Sequence, residues 1–222
     1  MRDPREVLTR AAPPPRWTVA YGDRPDQVID VWPADRDGAR PLVVVVHGGF
    51  WRAEYDRRHT WPECAGFVAA GYAVAAIEYR RTGAGGGWPA TFDDVAAALD
   101  AAPLLAAEVT DVDPGRVVHV GHSAGAHLAV WAASRGRLPA GARWAAPAPE
   151  ARPAGVVSLA GVLDLRAAAG LRLDGGAADE LLGGGPGERP ERYAVTDPLT
   201  LAPPGRPVAL LHGTEDRQGP PP

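Results

Sequence analysis

The segment Gly121-His122-Ser123-Ala124-Gly125 joins a valine-rich run (117–120, with His119 within it) to an alanine-rich stretch, Ala124–Ser134, of helical composition. A serine placed there sits on a sharp strand-to-helix turn. The residues two before and two after it must be small, because a side chain at either position would strike the adjoining strand or helix. Such a turn lifts the serine Oγ above the carboxyl edge of a sheet. The N–H groups at the start of the helix then favour developing negative charge. The spacing points to Ser123 as a nucleophile for acyl transfer. The competing reading is a small-residue turn that serves only close helix packing.

The rest of the chain alternates short apolar runs with helical segments, the pattern of a mostly parallel sheet with helices on both faces. Strands are expected at Val28–Trp32, at 42–46 (a continuous apolar run of one leucine and four valines, as in a strand buried on both faces), at 73–79, at 117–121, at Gly155–Leu159 and at Val208–Leu211. Helices are expected at 59–70, at Ala124–Ser134, and from an N-cap at Thr91 towards residue 107. The glycine-rich stretch 167–192 is expected to cross over the top of the sheet, and 139–153 to be a loop. The chain of 222 residues fits one α/β domain over 17–216, with a flexible segment at 1–16 and an irregular tail at 217–222.

Two further segments carry chemistry. His47-Gly48-Gly49-Phe50-Trp51 follows the buried run 42–46. Glycines at the carboxyl end of a parallel strand let backbone N–H groups face a cavity without obstruction. This assigns an oxyanion hole to the N–H groups of Gly49 and Phe50 together with Ala124. His47 is read as a structural residue that pins the loop. Past the last strand, Leu211-His212-Gly213-Thr214-Glu215-Asp216 offers the acid of a triad, Asp216, with Glu215 as the alternative; the order Ser then Asp fits this architecture. Phe50, Trp51 and Trp88 are candidates for an apolar substrate pocket.

On these three segments the chain resembles the α/β-hydrolases of the esterase/lipase superfamily, and most of all the branch with kynurenine formamidase-like hydrolases and small carboxylesterases. Glu78-Tyr79-Arg80-Arg81 and the stretch 159–165 extend the likeness over 17–216. The resemblance implies a cofactor-free serine hydrolase that cleaves small carboxylic esters or aryl formamides through an acyl-enzyme on Ser123.

One part of that pattern is missing. The base of this architecture comes after the acid, and no histidine follows Asp216. The six histidines are 47, 59, 119, 122, 127 and 212, and none takes that position. The last residues, ending in three prolines, suit neither a helix interior nor a central strand. The reading is therefore of a chain truncated before its last strand and helix, with chemistry crippled by the absent catalytic histidine. The alternative is a non-catalytic α/β-hydrolase-fold pseudoenzyme or binding protein.

Composition narrows the remaining classes. A net charge of −4 without a basic block argues against nucleic acid or an anionic membrane as partner. Cys64 is the lone cysteine, which leaves no intramolecular disulfide or cysteine-based metal site, and no metal is expected. The glycine-rich loop 82–89 lacks the Lys-Ser/Thr ending of a phosphate-binding loop, and the elbow fails the dinucleotide pattern G-x-G-x-x-G. With no apolar run near the length that spans a bilayer, a cytoplasmic location is expected.

Overall fold

A computed structural model describes residues 10–36, 38–145 and 153–216. The strands are β1 Trp17–Ala20, β2 Val28–Trp32, β3 Arg40–Val46, β4 Ala73–Ile77, β5 Val112–His122, β6 Gly155–Leu159 and β7 Val208–Leu211. They form one sheet in the order β1-β2-β4-β3-β5-β6-β7, antiparallel at β1/β2 and β2/β4 and parallel elsewhere. The helices are α1 Trp61–Ala69, α2 Ala90–Val109, α3 Ala124–Ser134, α4 Leu165–Gly170, α5 Ala177–Leu182 and α6 Pro190–Thr196, with a 3-10 turn at Arg57–Thr60.

The apolar runs in the middle strands follow from burial on both faces. Along β3, Leu42, Val44 and Val46 point into the larger core, under α2 and α3, while Val43 and Val45 point into a smaller one under α1. In β4, Ala73, Ala75 and Ile77 alternate with Val74 and Ala76 in the same way. That two-sided alternation is the doubly wound α/β arrangement expected. Phe92, Val95 and Leu99 of α2 and Leu128 and Trp131 of α3 close the larger core. Cys64 is buried in the smaller one, and that burial raises its thiol pKa well above the ordinary range.

Three details differ from the sequence reading. Trp17–Ala20 adds an edge strand, whose alternating half-buried pattern is too short to stand out. Helix α2 begins after Pro89, so Thr91 lies inside it and is not its N-cap. There its hydroxyl donates to the Arg80 carbonyl and accepts from the Gly87 N–H, which fastens the glycine-rich loop. The stretch 167–192 folds into short helices. Most of 1–16, half of the loop 139–153 and all of 217–222 lie outside the described residues.

Candidate active site

The site lies where β3, β5 and β6 present their carboxyl ends. Ser123 is the residue before the first turn of α3, with φ 53° and ψ −119°, a left-handed conformation that costs an L-residue about 1–3 kcal/mol. Its backbone is held from several sides. Its N–H donates to the Leu159 carbonyl (2.8 Å), and its carbonyl accepts from Ala126 (3.0 Å), His127 (3.2 Å) and Val162 (3.4 Å). Gly125 must be glycine. A Cβ there would overlap the carbonyl oxygens of Val46 and His47, because the start of α3 lies directly on the end of β3.

The loop after β3 comes up against the elbow. A Cβ on Gly48 would lie 2.7 Å from the His122 carbonyl oxygen and 3.3 Å from the Ser123 Cβ. Gly49 follows at φ 109°, then Phe50 and Trp51 at φ 51° and 58°. Both non-glycine residues are strained, so the turn is held by what surrounds it. Its outer anchors are a parallel bridge from Arg52 to Thr82 and the Thr82 hydroxyl donating to the Trp51 carbonyl (2.9 Å). Among the described residues, no backbone carbonyl accepts from the N–H groups of Gly49 and Phe50. The Ala124 N–H opens α3 with no side-chain cap, as an unpaired helix-start donor. The three donors expected of an oxyanion hole thus lie on adjoining turns beside Ser123.

Trp51 is turned inward. Its side chain is 1% exposed, and its indole N–H donates to His127 Nδ1 at 3.1 Å. The other His127 nitrogen, Nε2, lies 3.0 Å from the Thr196 carbonyl and must donate to it. One accepted and one donated bond make a neutral ring, and burial lowers the His127 pKa to about 4. Trp88 is half-buried against Trp144 and Phe92, with the Arg192 guanidinium 5.3 Å from its ring centre. Phe50 is half-buried against the larger core.

On the far side, Asp216 Oδ2 lies 3.6 Å from His212 Nε2. Desolvation lowers the His122 pKa, and the Asp216 carboxylate opposes that. Glu215 is exposed. His59 stands edge-on to His47 at 5.7 Å, and its pKa is lowered to about 4, first by burial and then by His47.

The sequence reading gave His47 the role of pinning the loop after β3 but gave none to its partner Glu78. Glu78 accepts from His47 Nε2 (2.9 Å), from the Tyr79 N–H (2.9 Å) and from the Arg57 N–H (3.0 Å). Arg57 also grips Asp30 through two nitrogens, and Tyr79 stacks on His47 while its hydroxyl donates to the His47 carbonyl. The signal was the charged stretch Glu78-Tyr79-Arg80-Arg81 directly after a buried strand. Among the described residues, no group of three or more His, Cys, Asp or Glu could hold a metal ion, and no helix is long and apolar enough to cross a membrane.

Comparison with known proteins gives this geometry a context. The family model described as BD-FAE matches residues 29–221. Among curated proteins, the isoprenylcysteine alpha-carbonyl methylesterase ICME of Arabidopsis thaliana is 32% identical over 53% of this chain and 27% of its own length. The probable isoprenylcysteine alpha-carbonyl methylesterase ICMEL1 of Oryza sativa subsp. japonica is 34% identical over 50% and 26%. The chain therefore spans about a quarter of the length of these relatives. Among solved structures, a truncated form of a carbohydrate esterase from gut microbiota superposes with a TM-score of 0.72 at 22% identity, over 92% of this chain and 78% of that one. Esterase 2 of Thermogutta terrifontis with propionate bound gives 0.66 at 26% identity, over 92% and 74%. The fold is that of the α/β-hydrolases.

Proposed function

Because this chain belongs to the BD-FAE family, we propose that it is built as a serine esterase acting on small carboxylic esters. Ser123 Oγ attacks the ester carbonyl. The N–H groups of Gly49, Phe50 and Ala124 take up the charge that develops on oxygen, and the alcohol leaves to give an acyl-enzyme that water hydrolyses. Asp216 supplies the acid. Phe50 and Trp88 form the apolar wall of the pocket, with Trp51 supporting it from behind. The observation that carries this reading is the apposition of Gly48 to Ser123, which brings the loop of Gly49 and Phe50, whose N–H groups no described backbone carbonyl accepts, against the elbow.

The esterase and methylesterase names of the relatives favour an ester over an aryl formamide. The base is the weak point. Both ring nitrogens of His47 and of His127 are engaged, and His119 is buried within β5. No described histidine holds the place after the acid. Removing one member of a triad leaves on the order of 10³–10⁴-fold acceleration over water.

A fluorophosphonate probe tests the nucleophile. Labelling of the wild type that Ser123→Ala abolishes supports the hydrolase, and a folded chain that never labels favours the non-catalytic reading. Hydrolysis of short p-nitrophenyl esters against N-formylkynurenine decides the substrate class.

A further inference from the structure

We propose that His47 is held as an imidazolium by Glu78, and that this buried ion pair strengthens the Gly49 N–H as an oxyanion donor; the second half rests on the hydrolase reading of Ser123. Fully buried at the end of β3, His47 has two oxygen neighbours: the Gly48 carbonyl, 2.9 Å from Nδ1, and Glu78 Oε1, 2.9 Å from Nε2. Neither oxygen has a hydrogen to give. A neutral imidazole carries one N–H and one lone pair, so either neutral form would press a nitrogen lone pair against an oxygen lone pair. Only the doubly protonated ring satisfies both contacts. His127 is the internal contrast, with one donor and one acceptor as neighbours and a neutral ring.

Could Glu78 carry the proton instead? Its two oxygens already accept the N–H groups of Tyr79 and Arg57, and the guanidinium groups of Arg81 and Arg57 lie 3.4 and 3.6 Å away. Burial works against the charged carboxylate, but the hydrogen bond and charge of His47, then the Arg81 charge and the Arg57 N–H, overcome it and hold the carboxyl at about 2. The charges around the pair also balance. Three carboxylates, Glu78, Asp30 and Asp26, face the cations Arg57 and Arg81, and an imidazolium at His47 is the third positive charge. Of the other groups packed on His47, Tyr79 is buried and un-ionised, and His59 is neutral down to about pH 4.

The consequence runs through a single amide. The Gly48 carbonyl that accepts from His47 Nδ1 belongs to the peptide unit whose N–H is that of Gly49. A cation bound to the oxygen end of that unit polarises its N–H end, and chained hydrogen bonds of this kind reinforce one another. His47 and Glu78 are thus positioning residues that act on the oxyanion through the backbone.

The test is a long-range ¹H–¹⁵N correlation spectrum of the full chain labelled at histidine, with His47 assigned by its loss in His47→Gln. Two protonated ring nitrogens on His47 at pH 7, beside a neutral Nε2–H ring on His127, are expected. A single protonated nitrogen on His47 overturns the proposal. In Glu78→Gln the imidazolium signature should vanish and phosphonylation of Ser123 should slow by about ten-fold, less than the loss of a whole oxyanion donor, and Glu78→Asp should restore part of both. A signature that persists in Glu78→Gln, or an unchanged labelling rate after its loss, refutes the coupling. If Glu78→Gln fails to fold, the wild-type spectrum still decides the charge state. A wild type that never labels removes the hydrolase reading and the oxyanion role with it, while the spectrum separately decides the ion pair.

Discussion

The indole N–H of Trp51 donates to Nδ1 of His127 across 3.1 Å of buried interior, so the loop after β3 is tied to the helix that follows Ser123. Trp51→Phe keeps a ring and removes the donor, leaving a buried imidazole lone pair unpaired. The expected cost is about 1–3 kcal/mol, read from urea denaturation. Labelling of Ser123 should slow as the loop loosens.

Gly125→Ala is expected to do far more damage than its one carbon suggests. The added Cβ meets the carbonyl oxygens of Val46 and His47, which belong to the central strand and its loop and cannot give way. The variant should lose Ser123 labelling and unfold at clearly lower temperature by calorimetry. Ala129→Gly in the middle of the same helix, in contrast, should cost only about 1 kcal/mol beyond its lost packing.

Acid should weaken the fold before any carboxylate of ordinary strength titrates. Burial lowers His59, His119 and His127 to about 4 from an ordinary 6.5, with His47 adding to the effect at His59 and Arg135 at His119. Between those pH values the unfolded chain binds protons that the folded chain does not, so stability falls as pH drops. Glu78, at about 2 in the fold, extends the loss below pH 4.5. Glu63 and Asp197, which burial raises, blunt the loss without cancelling it. Urea midpoints should decline from pH 7 to 4.5. His119 Nδ1 is buried with no hydrogen-bond partner, so His119→Leu should flatten that decline by about one proton of uptake.

Arg52 reaches from the loop after β3 to Asp174 (2.7 Å) and Glu180 (2.9 Å) in the segment 171–185. All three side chains are partly exposed, so Arg52→Ala should change global stability by under about 1 kcal/mol. The local effect should be larger, with faster amide exchange confined to residues 171–185. Uniform exchange would show that Arg52 is not a tether.

Much of this arrangement was legible in the sequence because a few residue types have few physical uses. A tetravaline run between polar ends can only be a strand covered on both faces, and small residues flanking a serine at the end of such a strand leave room for one kind of turn. The short amphipathic edge Trp17–Ala20 was not legible, since four residues of weak alternation resemble many loops. Nor was the inward rotation of Trp51, which depends on a histidine 76 positions later. Glu78 was visible as a charged residue after a buried strand, but its work depends on Arg57 and His47 arriving from other elements.

Phe50, Trp51, Ser123 and Ala160 all take positive φ at the carboxyl ends of three strands. Glycine would relax the backbone at each of them, whereas valine, isoleucine and threonine are barred by their branching. This rim therefore filters mutation. Any drift in the chemistry or substrate preference of the site must pass through the residues that a left-handed backbone accepts, and neighbours outside the rim will be the freer route to change.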